Sequence, residues 1–374
     1  MKARTVLLWV VAIATAIVAA FACAPSDFAP EQQIASVRIL ATRADGDRVY
    51  AHPGDSVTLE SLLVDGRVNQ KQPMRLYWVP FVCENPTNDA YYACFAAAED
   101  AGGAAVFGAG IVGGVIDAAV DADADAGVNA DVDAGGDDAG DEDAGTRPPT
   151  PSPTLTFTVP MDIIQKHAVV QGAPAPYGLM IAFNVACAGH LKLTSVDPSA
   201  GPQQVPIACV DDAGNILGPD DYVIGFSRVY VYENESNKNP EIDGIVINGV
   251  ETKTHVAGTA IPNVLDVVAP PCTKSCSALA ISVDVPASSW ELDPNNKDSD
   301  GNALHEALWV DYYALGGNLE SQARLLYDSH AGKITGTGST VNYDPPLLGT
   351  TMLWAVVHDS REGATWLQVN VHAK

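Results

Sequence analysis

The chain has 374 residues, 47% of them hydrophobic, and a formal net charge of −26 at pH 7. That length and apolar content support two or three domains with real cores. A balance this acidic, with no basic patch and no basic residues interleaved with aromatics, excludes nucleic acid as a partner and argues against direct docking on anionic lipid headgroups.

Lys2 and Arg4 lead into an almost uninterrupted apolar run, Val6 to Ala22, broken only by Thr15. That is the layout of an export signal. About 20 apolar residues span a bilayer, and this run falls slightly short. The segment Ala20-Phe21-Ala22-Cys23 resembles the lipobox of bacterial lipoproteins, with Ala20 where Leu is usual and Phe21 bulky for its position. The resemblance implies a signal peptide over residues 1–22 and a lipid-carrying Cys23, hence membrane attachment through that lipid. Several acyl chains on one cysteine hold a protein firmly, as a single chain does not. Ala24, where Asp would suggest inner-membrane retention, favours the outer membrane. An ordinary cleaved signal and an uncleaved anchor are the alternatives.

Cysteine arithmetic supports export. Of seven cysteines, setting Cys23 aside leaves six in three local pairs: Cys83 with Cys94, Cys187 with Cys209, and Cys272 with Cys276. In an oxidising compartment these read as short-loop disulfides, local pairing being the economical choice among fifteen connectivities. Six buried free thiols are the alternative. Metal binding by Cys272 and Cys276 would need a second such pair, and there is none.

Residues 23–33 are a polar, Pro-containing spacer. A first domain is expected over 34–235. Ser36 to Thr42 and Ser56 to Val64 alternate as strands around a Pro53-Gly54-Asp55 turn. Arg75 to Cys83 carries Trp78, the strand-borne tryptophan that an immunoglobulin-like sandwich buries. The order PGDSVTL followed by Trp resembles bacterial immunoglobulin-like domains. Residues 97–153 then lose all strand pattern. Eleven of the 46 acidic residues fall between Asp117 and Asp143, in an Asp-Ala-Gly run that resembles, in composition, runs in exported myxobacterial proteins. Such a run buries too little apolar surface to offset its ordering entropy, so a disordered insertion is expected. Strand patterns resume at Thr154 to Val159, Tyr177 to Cys187 and Tyr222 to Tyr232, and Asp162 to Val170 has room for a turn or two of helix. The insertion therefore interrupts one domain.

Asn237 to Pro240 marks a boundary, and a second domain is expected over 236–374. Seven short strands at sandwich spacing begin near Glu241, Ala278, Leu308, Leu325, Thr340, Met352 and Trp366. The stretch from Asp298-Ser-Asp-Gly through LWVDYYALGG to VVHDSREGATW resembles the PKD and cadherin-like group of bacterial extracellular domains, with Glu362-Gly363 where Gly-Gly is usual. The fold class expected is all-β, two immunoglobulin-like sandwiches.

Few motifs carry chemistry. Asn296, Asp298 and Asp300, followed by Gly301, match the first half of a calcium loop, with Asp293 nearby. Ala307 stands where the bidentate Glu belongs, and a solvated Asp/Asn/Gly turn explains the same residues. Calcium is the one cofactor raised. Gly108, Gly110 and Gly113 fit a dinucleotide pattern but have no βαβ unit around them. His305-Glu306 begins a zincin motif that Trp309 ends, and Arg361 stands where an Asp-box needs Asp. There is no GxSxG elbow, the eight histidines lack metal spacing, and no carboxylate pair can be assigned for glycosidase chemistry. The chain reads as a non-enzymatic envelope protein displaying two sandwiches to an unknown protein or glycan ligand. Tyr91, Tyr92, Tyr312 and Tyr313 are candidate exposed aromatics. A carbohydrate- or protein-binding adhesion module is the alternative, and an undetected hydrolase the third reading.

Overall fold

The computed structural model describes residues 30–44, 46, 48–94, 152–173, 175–193, 207–253, 264–269 and 277–373. The leader, Cys23, the Asp-Ala-Gly run, the Gly108–Gly113 pattern, Cys272 and Cys276 lie outside them.

The first sandwich uses β1 (Val37–Ala44), β2 (Ser56–Asp65), β3 (Arg75–Glu84), β4 (Thr154–Thr158), β5 (Gly178–Cys187), β6 (His190–Leu193), β7 (Ile207–Val210) and β8 (Tyr222–Val231). One sheet has the order β1-β2-β4 and the facing sheet β3-β5-β8. Putting the first, second and fourth strands in one sheet and the third, fifth and last in the other is the partition of an immunoglobulin-like sandwich. β4 pairs with β2 from Ser56↔Thr158 to Glu60↔Thr154, and β5 pairs with β3. Strands from before and after residues 95–151 therefore share both sheets.

Period-2 alternation sends Val57, Leu59, Leu155 and Phe157 inward, where they meet Met180, Ala182 and a buried Trp78. β5 is buried along its whole length, which explains its continuous apolar run. Its other face, carrying Leu179, Ile181, Phe183 and Val185, is covered by Cys94, Leu191, Ile207 and Cys209. Two disulfides, Cys83–Cys94 and Cys187–Cys209, staple this outer cover to the sheet. The helix expected near Asp162 is a single turn, Ile163–Lys166.

The second sandwich begins with β9 (Gly244–Ile247), β10 (Val250–Lys253), β11 (Val264–Ala269), β12 (Leu279–Asp284), β13 (Leu292–Lys297) and β14 (Ala303–His305). It continues with β15 (Leu308–Ala314), β16 (Asn318–Leu319), β17 (Ala323–Asp328), β18 (Gly332–Lys333), β19 (Val341–Asp344), β20 (Gly349–Asp359) and β21 (Ala364–Ala373). Sheet orders are β10-β9-β12-β19-β16 and β11-β21-β20-β15-β17-β18, enclosing a core that includes Tyr312, Tyr343, Leu308 and Leu353. The strands that sequence patterning passed over are short hairpins and edges, such as β13–β14 and β11, which have no buried alternating face of their own to announce them.

The two sandwiches are joined side by side. Ile34, Val64 and Trp354 form a shared apolar cluster with Leu40, Tyr313 and Met352 around it. Ile34 N–H donates to Ala314 O at 3.0 Å, and Ala314 N–H donates to Gln32 O at 2.9 Å. The Arg43 guanidinium lies 4.1 Å from the Trp366 ring centroid and donates to Thr365 Oγ1 at 2.9 Å. Asn239 bonds both sides, donating to Ala44 O at 3.0 Å and accepting from Ala364 N–H at 3.1 Å. The boundary stretch Asn237–Asn239 is therefore a bonded seam, and Gln32–Lys374 forms one contact unit.

Candidate functional site

The open flank of the first sandwich carries a cleft. It lies where edge strand β1 of one sheet faces edge strand β8 of the other, and holds about 290 Å³. Ile39, Ala41 and Thr42 line one wall, the consecutive residues Val223–Arg228 line the other, and Glu362 of the second sandwich stands at the rim.

At its floor is Asn184, the one polar residue inside the apolar run of β5 and only 1% exposed. Its Nδ2 donates to Ser61 Oγ at 3.1 Å and to Thr42 Oγ1 at 3.4 Å. Its Oδ1 has no hydrogen-bond partner, and a buried polar atom in that position carries a desolvation penalty of about 1–3 kcal/mol. Gly225 is its register partner on β8, and a Cβ there would stand 2.5 Å from that oxygen. Glycine mid-strand marks such a close approach.

Aromatic rings lie on the other face of β8, where Phe226 sits on the side of its register partner Phe183. Phe226 stacks on Tyr91 with centroids 4.6 Å apart and planes 16° from parallel, and Tyr91 meets Tyr92 edge-on at 5.8 Å. The Arg228 guanidinium lies 5.1 Å from the Phe226 centroid. Tyr91, Tyr92 and Phe226 are 39%, 47% and 38% exposed. Tyr312 corrects the expectation of exposure: it is fully buried in the second core, because it points inward from a central strand. Tyr313 points the other way and is half-buried in the seam.

The candidate calcium ligands occupy the β13–β14 hairpin. Asn296 is exposed on β13, and Asp298 and Asp300 sit in the turn. Asp298 Oδ1 accepts from Asp300 N–H at 2.9 Å and Asn302 N–H at 2.8 Å, while Oδ2 accepts from Asn302 Nδ2 at 3.0 Å. These bonds, the side-chain bond from Asn302 first, hold its carboxyl below the usual range. The β7–β8 connection repeats the device: Asp211 accepts from Ala213 N–H, Asn215 N–H and Asn215 Nδ2 at 2.9, 2.8 and 3.0 Å. Both turns read Asp-x-x-Gly-Asn, with Gly214 and Gly301 at φ 83° and 86°. The turn itself thus accounts for Asp298. Among the described residues no three His, Cys, Asp or Glu side chains converge as a metal group would require.

His305 and Glu306 serve structure. The His305 ring bonds Trp290 O at 2.8 Å. Glu306 is fully buried and accepts from Arg361 Nε at 2.7 Å and Glu291 N–H at 2.9 Å. Arg361 also bonds Glu291 Oε2 and Ser236 O. Asp359 accepts from the Arg361 and Gly363 amides and from Asn237 Nδ2. Burial, reinforced by the charge of Asp359 and opposed by Arg361, pushes Glu306 up to about 7. Burial also raises Asp359.

Sequence patterning missed Asn184, Gly225 and Arg228 as a site. The signals were a lone Asn in an apolar run and a Gly inside a strand.

No protein-family model matches the chain, and no curated protein matches it. Among solved structures it is similar to the fibronectin(III)-like modules of Clostridium thermocellum CbhA, at 11% identity over 89% of this chain and 94% of that one, with a TM-score of 0.18. It is also similar to E. coli alpha-2-macroglobulin in its native conformation, at 9% identity over 93% of this chain and 16% of that one, TM-score 0.17. The trypsin-activated form of that protein gives 9% identity, 93% and 17% coverage and a TM-score of 0.17.

Proposed function

We propose that this chain is a non-enzymatic, lipid-anchored protein of the cell envelope, held at the outer membrane, that displays its two sandwiches as a binding body. The export-type leader ending at Cys23 supports the address. The cystines Cys83–Cys94 and Cys187–Cys209 suit an oxidising compartment. The observation that carries the binding half is the cleft between β1 and β8, with an apolar wall, an exposed strand edge and a buried acceptor that lacks a donor. Loops and edges held on a rigid scaffold are where binding residues concentrate. The seam through Asn239 and Trp354 supports presentation of both sandwiches together.

Radiolabelled palmitate tests the anchor. Wild-type chain expressed in a Gram-negative host takes up label and Cys23→Ser does not; equal labelling of the two removes the lipid reading. A carbohydrate ligand is the second reading, favoured by the exposed Tyr91 and Tyr92. On a glycan array it gives a saturable signal that Tyr91→Ala and Tyr92→Ala abolish; a blank array ends it.

A further inference from the structure

We propose that the free edge of β8 receives an extended strand from a partner protein, which adds to the β3-β5-β8 sheet inside the cleft. This goes beyond the anchoring reading and does not depend on it.

The backbone shows which groups are available. Ala51 N–H donates to Tyr230 O, and Tyr232 N–H donates to Ala51 O, both at 3.0 Å. Residues 230 and 232 therefore turn their peptide groups away from β5. β8 pairs with β5 without a bulge, and strand peptide groups alternate from side to side. Ile224, Phe226 and Arg228 thus aim N–H and C=O outward as well. Among the described residues none of these groups has a partner.

The second sandwich shows what belongs there. Its last strand, β21, occupies the place β8 occupies in the first, beside a long central strand. That edge is closed by β11, which runs parallel to it through six register pairs, Val264↔Gln368 to Ala269↔Ala373. In the first sandwich the same parallel ladder starts, as the single bridge Ala51↔Val231, and goes no further. Toward Arg228 it stops because Val49, two residues back, gives its N–H to Asn237 O at 2.8 Å instead. Among the described residues one sandwich carries its own closing strand and the other leaves the position open.

The edge is also unguarded. Proteins protect long edge strands with Lys, Pro, bulges or a cover. β8 has ten residues, no Pro, no bulge and one charge, Arg228, while Ile224 and Phe226 are more than a third exposed. Main-chain pairing along such an edge, with pockets for alternate side chains, is strand addition. The walls define the incoming strand. Ile39, Ala41 and Ile224 take apolar side chains. Over Gly225 the space is already filled by Asn184 Oδ1 and the Ile39 side chain, so the incoming strand meets a flat stretch of backbone there. Arg228 favours a neutral or acidic neighbour. A second copy fits poorly, because two chains of formal charge −26 repel.

The test uses the chain from residue 24 onward in solution and a random linear peptide library displayed on phage. The expected winners alternate apolar residues with polar ones and place a neutral or acidic residue beside Arg228. Synthesised and labelled, they bind wild type in fluorescence anisotropy and lose about ten-fold or more in affinity on Ile224→Pro, which removes one outward main-chain donor. That proline sits on an edge with its nitrogen facing outward, so the β5 ladder is kept. Where the proline variant does not fold, Arg228→Glu weakens the acidic winners instead. Hydrogen exchange then shows the Ile224, Phe226 and Arg228 amides slowing only when peptide is bound. Four results overturn the proposal. The library yields no binder, or binding ignores both variants. The three amides are already protected in the free monomer, which means the chain covers its own edge. Their protection appears only with dimerisation in sedimentation, which assigns the edge to a second copy.

Discussion

Replacing Glu306 by Gln should remove a specific share of the pH dependence of stability. Glu306 is buried behind the seam, with Arg361 Nε at 2.7 Å and the Glu291 amide at 2.9 Å. Arg361 also faces Glu291 and lies beside Asp359, so one guanidinium answers several carboxylates. Burial and the Asp359 charge outweigh that guanidinium and carry Glu306 from 4.5 to about 7. A folded-state value above the unfolded one means that the native protein binds the extra proton between these limits. The stabilisation is therefore complete below pH 4.5 and is lost as pH rises through about 7. At about 1.4 kcal/mol per unit of pH the full effect is about 3 kcal/mol, of which about 2.5 kcal/mol falls between about pH 5 and about pH 8. Urea unfolding of wild type and Glu306→Gln at those two pH values measures it. The variant should lose stability at pH 8, where the ionised carboxylate accepts from both Arg361 and Glu291 and an amide oxygen cannot replace both acceptors. It should also show a pH dependence smaller by about 2.5 kcal/mol. A carbon-13 titration of the Glu306 carboxyl should find its midpoint near neutrality. Equal pH slopes for the two proteins, or a midpoint near 4.5, would refute the reasoning.

Arg361→Ala leaves Glu306 and Asp359 buried without their cation and should lower stability by about 3–5 kcal/mol in the same assay; a loss under about 1 kcal/mol would mean that water reaches the cluster. Glu362 sits at φ 75°, the left-handed region that glycine favours, so Glu362→Gly should raise the melting midpoint, by up to about 1 kcal/mol of stability. Gly363→Ala should do the reverse, since its Cβ would run into the Asp359 carboxylate. Removing Cys187–Cys209, which spans 22 residues, should cost about 3 kcal/mol by loop entropy, read as a lower melting temperature of the double Ser variant. Calorimetry with millimolar calcium should give no saturable heat while Asp298 holds its turn, and a saturable signal lost in Asp298→Ala would show that the hairpin opens to bind.

Much of the fold was legible because β-structure announces itself locally. The alternation of Ser56 to Val64 and of Leu308 to Ala314 places each on a half-buried sheet, and the structure has strands at both. Trp78 on the third strand pointed to a sandwich core and lies in one. The pairs Cys83–Cys94 and Cys187–Cys209 could be read because few residues separate the partners and each loop closes at small entropic cost. Arg361 was less legible. Measured against an Asp-box it was merely the wrong residue, and only folding shows it reaching Glu306, 55 positions away, and Ser236, 125 positions away.

What the chain's sequence determines alone is therefore its all-β class, its longer strands and many of its turns, all written in spacings of two to four residues. Tertiary structure decided the rest. Whether an edge strand is covered depends on which segment lies beside it, and among the described residues β21 has β11 while β8 has only Ala51. Whether Asn184 is satisfied depends on Thr42, Ser61 and Gly225, which come from three other strands. Those neighbours are set by strand order and by packing between sheets, and neither leaves a periodic trace along the chain.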